Sequence, residues 1–291
     1  MNCMTAISCV PPVLKVSAGM ACHVYVDFDG TIAPGDPTDS IFARFADPYW
    51  QVIEEEWQQG RASSWETMQR QVALIRATPE ALDAFVDTVR IDPGFPEFVR
   101  ICKDRGASVS VVSDGFDRVV GAVLAKNKLD LPYRANAFTP VGADRWQLKF
   151  PHKQNSCVSR MGNCKCSHQT KGEGALHVMV GDGRSDFCIA EHSHLVLAKA
   201  RLIDHCREQG LAHVSMTDFN GVNGFMAGWL DLQLQSARVR MPAAGNRVWT
   251  PSRSLPASGS ASRPASGPAS RSASGPSSRA VSGPDRSDGQ Q

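Results

Sequence analysis

The chain has 291 residues, 42% of them hydrophobic and 7% aromatic, enough for one or two domains with a sizeable core. Its formal charge of +2 averages two unlike parts: eight arginines and two aspartates put +6 on residues 237–291, which leaves −4 on the rest. That distribution speaks against a nucleic-acid-binding core, and no apolar run approaches the ~18–20 residues that a membrane-spanning helix needs.

Residues 1–21 read as a weakly structured extension. Lys15 is the only basic residue in Met1–Cys22 and Pro11-Pro12 interrupts the apolar run, a poor match to a signal peptide. Without an export signal the protein is expected in the cytoplasm, with its nine cysteines as free thiols. His23–Asp29 is an apolar run ending in acids and followed by Gly30, the pattern of a buried strand running into a loop. Residues 35–92 change character to a helical insertion. Trp65, Met68, Val72 and Ile75 recur at helical spacing. Thr78 and Pro79 suit N-cap and N1 positions ahead of the stripe Leu82, Phe85, Val86, Val89. Pro93-Gly94 ends this region, and Phe95, Phe98, Val99 and Cys102 mark another helix, closed by Gly106.

Ala107–Val112 reads as a second strand ending in the polar turn Ser113-Asp114-Gly115, followed by a helix over Phe116–Lys126. Arg134–Thr139 and Trp146–Phe150 suggest a hairpin around Gly142, and residues 151–174 are irregular and rich in Cys, Lys and Gly. Ala175–Val180 is a third buried strand, ending in Gly181-Asp182-Gly183 before a helix from Ser185. Leu195–Ala198, Leu202–Gln209, Val214 and Asp218–Leu234 continue as strand, helix, short strand and final helix. From Pro251 the chain has no aromatic residue and is dominated by Ser, Ala, Gly and Pro; with too little apolar surface to offset chain entropy, residues 237–291 are expected to be a disordered tail whose partners, if any, are unknown.

Strands alternating with helices predict an α/β protein with a doubly wound parallel sheet, whose site lies at the carboxyl ends of the strands. The polar groups fall there. Asp27 and Asp29, two apart on an extended segment, point to one side; one can serve as a nucleophile and cation ligand, the other as a proton donor and acceptor. Asp182 and Asp186, four apart where a strand turns into a helix, can converge on a hard cation such as Mg²⁺.

The order DxDGT, then Ser after a second strand, then Lys, then GDxxxD resembles the haloacid dehalogenase superfamily over residues 22–236. The resemblance implies a Rossmann-like hydrolase core at 22–34 and 93–236 with a helical cap at 35–92 inserted after the first strand. It also implies a phosphatase acting on a small phosphorylated metabolite through an aspartyl-phosphate, with Mg²⁺ as cofactor. On it, Asp27 is the nucleophile and Asp29 the general acid/base. Thr31, Ser113 and Asp114 lie around the phosphate, with Asp114 replacing a glycine found in some members. Asp27, Asp29 (by its main-chain carbonyl), Asp182 and Asp186 surround the metal. Lys149, Lys153, Lys165 and Lys171 are all candidates for the family's phosphate-binding lysine. Phe150-Pro151-His152, with the Cys-rich segment ending Cys164-Lys165, further resembles the 2-hydroxy-3-keto-5-methylthiopentenyl-1-phosphate phosphatases of methionine salvage, within the phosphoserine-phosphatase-like branch. That match selects Lys165, with Lys171 second.

Two alternatives stand beside this reading. Phosphoserine as substrate would use Asp36 or Asp39 and Arg61 or Arg70 around the amino acid. A phosphate-binding regulatory module without catalysis would be expected to lack Asp27 or Asp29, and both are present. The set Cys157, Cys164, Cys166, His168 contains zinc-ligand residue types, but C-x6-C-x-C-x-H is not a common structural-zinc spacing, and it reads as a loop of free thiols. Cys22, Cys102, Cys188 and Cys206 sit in apolar contexts and read as core.

Overall fold

The computed structural model describes residues 21–169 and 174–238. The expectations for residues 1–20, for Lys171 and for the tail beyond Arg238 lie outside the described residues. All described residues fall in one compact unit.

Seven strands form one sheet: β1 (Cys22–Val26), β2 (Ala107–Phe116), β3 (Tyr133–Pro140), β4 (Trp146–Lys149), β5 (Leu176–Gly181), β6 (Leu195–Ala198) and β7 (His213–Ser215). Their order is β4-β3-β2-β1-β5-β6-β7, parallel throughout except for the expected hairpin β3–β4. From β1 the chain winds outward through β2 and β3, then returns to the other side of β1 and winds out through β5, β6 and β7. The order therefore reverses at β1, and in open α/β sheets the crevice for a ligand lies at that reversal.

Both faces of the sheet are covered, which is why β1 and β5 read as unbroken apolar runs rather than alternating ones. Val24, Val26, Val178, Val180, Leu195 and Leu197 face one large core. Into it pack α5 (Phe95–Asp104), α6 (Asp117–Lys126) and α9 (Asn220–Arg238), with the Phe219 ring tilted against Phe95 and Phe98 at 5.0 Å. Tyr25, Met179, Val196 and Ala198 face the opposite side against α7 (Phe187–Ala190) and α8 (Ala200–Glu208).

Four helices fill the insertion between β1 and α5: α1 (Pro37–Phe45), α2 (Trp50–Gln58), α3 (Ser64–Val72) and α4 (Pro79–Val86). Their starts are written locally. Asp36 accepts from Asp39 N–H at 2.9 Å, Thr78 accepts from Ala81 N–H at 3.2 Å, and Pro follows each cap. Ser63 and Glu66 form a reciprocal capping box at the start of α3.

One segment departs from expectation. Ser113-Asp114-Gly115 is not a turn: β2 continues to Phe116, and its register with β3 slips between Val112 and Phe116. The backbone carbonyls exposed by the slip are taken by side chains, Asn163 Nδ2 donating to Ser113 O (2.8 Å) and Asn136 Nδ2 to Asp114 O (2.6 Å). The polar residues stay in strand conformation because long-range partners satisfy them.

Candidate active site

Strand register sets the level of the site. Val26 lies opposite both Val111 and Val180, so the residues following these three valines lie at one level. Asp27 N–H still donates to Val180 O at 2.8 Å, and its carboxyl is nearly buried. The chain then reverses at Gly30, φ 73°, in the left-handed region, and any Cβ there would collide with the Asp182 carboxylate.

Lys165 stands on a short 3₁₀ turn, Lys165–His168, and is 1% exposed. Its Nζ donates to Asp27 Oδ1 (2.6 Å), Asp186 Oδ1 (2.6 Å) and Ser185 Oγ (2.9 Å). Burial alone would favour the neutral amine. The carboxylates of Asp186 and Asp27 outweigh it and hold the pKa above the ordinary lysine value, so the group is an ammonium. The Asp27 carboxyl is held well above the usual range, first by burial and then by the charge of Asp186, with Lys165 pulling the other way.

The carboxylate oxygens of Asp27, Asp182 and Asp186 lie within 4.8 Å of one another. One ammonium does not balance three acids, and the surplus of oxygen donors fits a hard divalent cation such as Mg²⁺. The three acids differ in what is left to offer. Asp186 uses Oδ1 on Lys165 and Oδ2 on the N–H groups of Asp182 (3.0 Å) and Gly183 (3.1 Å). It thus braces the lysine and the loop that carries Asp182. Asp182 accepts from Thr31 Oγ1 at 3.3 Å, and burial with the Asp186 charge pushes its pKa up to about 6.

Asp29 is set apart from this group. Oδ1 accepts from Thr38 N–H and Thr38 Oγ1, both at 3.1 Å, and Oδ2 accepts from Ser113 Oγ at 3.1 Å. Burial and then the Asp36 charge push its pKa up to about 7, against the lowering effect of those hydrogen bonds. A carboxyl so placed exchanges its proton near neutrality, as acid–base work requires. Ser113 Oγ also accepts from Gly115 N–H at 2.8 Å.

Asp114 has a tying role that sequence reading missed. Its carboxylate accepts from Ser64 Oγ at the start of α3, from Asn163 N–H (2.6 Å) and from Asn136 Nδ2 (3.2 Å). It joins the insertion, β3 and the Cys-rich loop at one point. The signal was present in part, since Ser63-Ser64-x-Glu66 marks a helix start, but nothing local says which acid the second serine meets.

A cavity of about 370 Å³ opens here, with Asp27, Asp29, Asp114 and Asp182 on the sheet side and Phe42, Trp57, Met68 and Gln71 on the insertion side. Thr31, Ser113, Lys165 and Asp186 do not line it; each is fully buried and hydrogen-bonded to an acid that does. Lys149 and Lys153 are elsewhere: Lys149 is exposed and the Lys153 ammonium sits 3.9 Å over the Trp65 ring. Arg61 and Arg70, considered for an amino-acid carboxylate, do not line the cavity; Arg61 bonds Gln59 and Arg70 is paired with Glu56 at 2.5 Å.

In the Cys-rich loop His168 Nε2 meets Asn163 Oδ1 (2.6 Å) and its ring lies edge-on to His152. One reading needs correction. Cys188, expected as core, is half-buried and meets Cys157 and Cys164 instead.

The chain is matched over residues 24–191 by the family model described as haloacid dehalogenase-like hydrolase. It is 30% identical over 203 residues to the 2-hydroxy-3-keto-5-methylthiopentenyl-1-phosphate phosphatase of Geobacillus kaustophilus (strain HTA426), covering 67% of this chain and 91% of that protein. The protein of the same name from Geobacillus thermodenitrificans (strain NG80-2) is 29% identical over 201 residues, again 67% of this chain and 91% of that protein. Among solved structures, a phospho-aspartyl intermediate analogue of phosphoserine phosphatase aligns with TM-score 0.54 at 20% identity, covering 71% of this chain and 99% of that one. A probable phosphoserine phosphatase from Vibrio cholerae gives 0.55 at 16% identity, over 78% and 69%. At those identities the structural likeness speaks to the fold.

Proposed function

The chain belongs to the haloacid dehalogenase-like hydrolases and is a phosphoric monoester hydrolase, and we propose that it uses Mg²⁺ and an aspartyl-phosphate to hydrolyse 2-hydroxy-3-keto-5-methylthiopentenyl-1-phosphate or a closely related sugar-like phosphate. The observation that carries the chemistry is the division of labour between the two acids of the first motif. Asp27 is oriented by the buried Lys165 ammonium at 2.6 Å, while Asp29 titrates at about 7.

Lys165 holds Asp27 Oδ1, which leaves Oδ2 to attack phosphorus as the bond to the leaving oxygen breaks. Asp29 gives its proton to that oxygen, and the substrate alcohol leaves. Asp29, now a carboxylate, takes a proton from water as the water oxygen attacks phosphorus. The bond to Asp27 breaks, and both acids return to their starting states. Ser113 and Thr31 steady Asp29 and Asp182 respectively. Mg²⁺, held by Asp27 and Asp182 with Asp186 behind them, would neutralise charge on the phosphoryl oxygens.

The substrate reading rests on the insertion wall. Phe42, Trp57 and Met68 offer apolar and sulfur surface, which suits a methylthio-alkyl end. Neither Arg61 nor Arg70 reaches the cavity; Arg184, Arg201, Asp36 and Asp39 do line it, so the choice against phosphoserine rests on the apolar wall. A compartment that keeps thiols reduced, the cytoplasm, suits the free cysteines among the described residues. The test is initial-rate hydrolysis by the purified chain with Mg²⁺ against the ketopentenyl phosphate, phosphoserine and a sugar phosphate. The first is expected to have the highest kcat/KM. Preference for phosphoserine would overturn the substrate, and full activity in Asp27→Asn would overturn the mechanism.

A further inference from the structure

Four cysteines meet where the site's lysine loop touches α7. The sulfurs of Cys157, Cys164 and Cys188 lie within 4.8 Å of one another. Cys166 Sγ is 3.4 Å from Cys164 Sγ, and its thiol also bonds to that of Cys188. Cys157 and Cys164 are buried with Met161, and Trp57 of α2 closes one side. Cysteine is the residue type whose convergence most specifically suits a thiophilic ion. Tetrahedral Zn²⁺ with four thiolates at ~2.3 Å requires sulfurs roughly 3.8 Å apart; three sulfurs already lie within 4.8 Å of one another, and Cys166, against Cys164 and Cys188, completes the set by a shift of its side chain.

We propose that Cys157, Cys164, Cys166 and Cys188 bind a structural zinc ion. The spacing that argued against zinc in the sequence is resolved by local shape. Cys164 leads into the 3₁₀ turn, where Ser167 N–H donates to Cys164 O at 3.0 Å, and the chain curls so that the Cys164 and Cys166 sulfurs come to 3.4 Å. In an extended chain residues two apart share a face but stand about 7 Å apart, at ~3.3 Å of rise per residue. The fourth ligand is not His168, two residues further on, but Cys188, brought by the first turn of α7. The ion sits apart from the acidic centre in chemistry as well as place: sulfur donors here, oxygen donors there.

Its position gives it a consequence. Lys165 lies between the ligands Cys164 and Cys166, and Asp186 lies two residues before Cys188. A zinc ion would cross-link the two segments whose side chains meet at 2.6 Å in the Lys165–Asp186 pair. On the phosphatase reading, it fixes the ammonium that orients Asp27. The binding of zinc does not depend on that reading.

The test is metal content of the full chain, purified under reducing conditions, loaded with excess Zn²⁺ and desalted. About one tightly held zinc per chain is expected, with cobalt substitution giving the near-ultraviolet thiolate-to-metal bands of tetrathiolate coordination. Cys157→Ser and Cys188→Ser are expected to drop zinc to below about a tenth of the wild-type content, while His168→Ala keeps it. Asp182→Asn keeps it too, which separates this ion from any cation of the acidic centre and from the fate of the phosphatase assignment. If the serine variants fail to fold, the wild-type measurement still decides. Absence of bound zinc after loading overturns the site, as does reaction of all four thiols with a thiol reagent at the same rate with and without zinc. Zinc lost in His168→Ala but kept in Cys188→Ser overturns the ligand set.

Discussion

The Lys165 ammonium lies 2.6 Å from Asp27 Oδ1 and 2.6 Å from Asp186 Oδ1, and all three groups are buried. The attraction is offset by desolvation, so the cluster is balanced only while its cation is present. Lys165→Met keeps the stem and removes the charge. It should cost about 3–5 kcal/mol of stability, because two acids stay buried without their partner, and lower kcat by ~10²–10³ or more through loss of a preorganised charge. Thermal melting and steady-state kinetics on the same preparation check both. A variant with wild-type melting and rate would remove Lys165 from the site.

Asp29 sets the upper limb of the pH profile. Its pKa of about 7 means that the proton given to the leaving oxygen is present below that pH and is lost as pH rises through it. Formation of the aspartyl-phosphate is therefore expected to decline above about pH 7, and a bound cation nearby would move the limb lower. Asp29→Asn should abolish the limb along with most of the rate. An activated ester such as p-nitrophenyl phosphate needs less protonation and should show a shallower decline. Identical limbs for both substrates would assign that titration to another group.

Stability should run in the same direction. Asp29 at about 7, and Asp182, Asp36 and Asp39 at about 6, all titrate above the ordinary aspartate value in the folded protein. Between about pH 4 and these values, the unfolded chain gives up protons that the folded chain keeps. Their contribution is therefore full at low pH and is lost as pH rises through about 6–7. Metal-free protein should melt at a higher temperature near pH 5.5 than near pH 7.5. Millimolar Mg²⁺ should raise the melting temperature more at the higher pH, where the acids are free to bind it. Equal Mg²⁺ shifts at both values would argue that these carboxylates do not hold the ion.

Much of this site is legible in the sequence because strand ends announce themselves. Apolar runs stop at Asp27, Ser113 and Asp182, and a parallel sheet brings those stops together. What is not legible is anything whose partner is remote. Lys165 is one of four candidate lysines until the resemblance selects it, since a sequence separation of 138 carries no local rule for its meeting with Asp27. Cys188 reads as core in the run Phe187-Cys188-Ile189-Ala190, because its fellow cysteines arrive from a different loop. Ser113-Asp114-Gly115 reads as a turn because turns are polar. It stays in β2 because Asn136 and Asn163 satisfy its carbonyls from a distance.

Asp114 makes a separate prediction about the insertion. Its carboxylate is the common acceptor for Ser64 and Asn163, so Asp114→Ala should loosen the hold of the sheet on α3 and on the lysine loop at once. Each orphaned buried donor costs ~1–3 kcal/mol. KM is expected to rise several-fold, with kcat falling less, since the reacting acids keep their own hydrogen bonds. Ser64→Ala should reproduce only the part due to α3, and the double variant should be less than additive. Additive effects would mean that Ser64 and Asp114 are not coupled, and that their hydrogen bond does not hold α3 to the sheet.

Met68 is the cleaner probe of substrate choice. It lines the cavity from α3, where its sulfur accepts from Ser64 Oγ at 3.8 Å, whereas Trp57 also packs on the Cys157–Cys164 cluster and would confound the two sites. Met68→Gln keeps length and approximate volume but replaces the thioether with an amide. If Met68 receives the methylthio end, the substitution should weaken transition-state binding by about 1–3 kcal/mol, or about 10–200-fold in kcat/KM. The effect should appear for the ketopentenyl phosphate and be smaller for p-nitrophenyl phosphate, which has no methylthio group. It should fall mainly on KM, because the side chain is remote from phosphorus and binds ground state and transition state alike. A uniform decline across all esters would show that Met68 supports the cavity rather than reads the substrate, and would break the link between the insertion wall and the methylthio group.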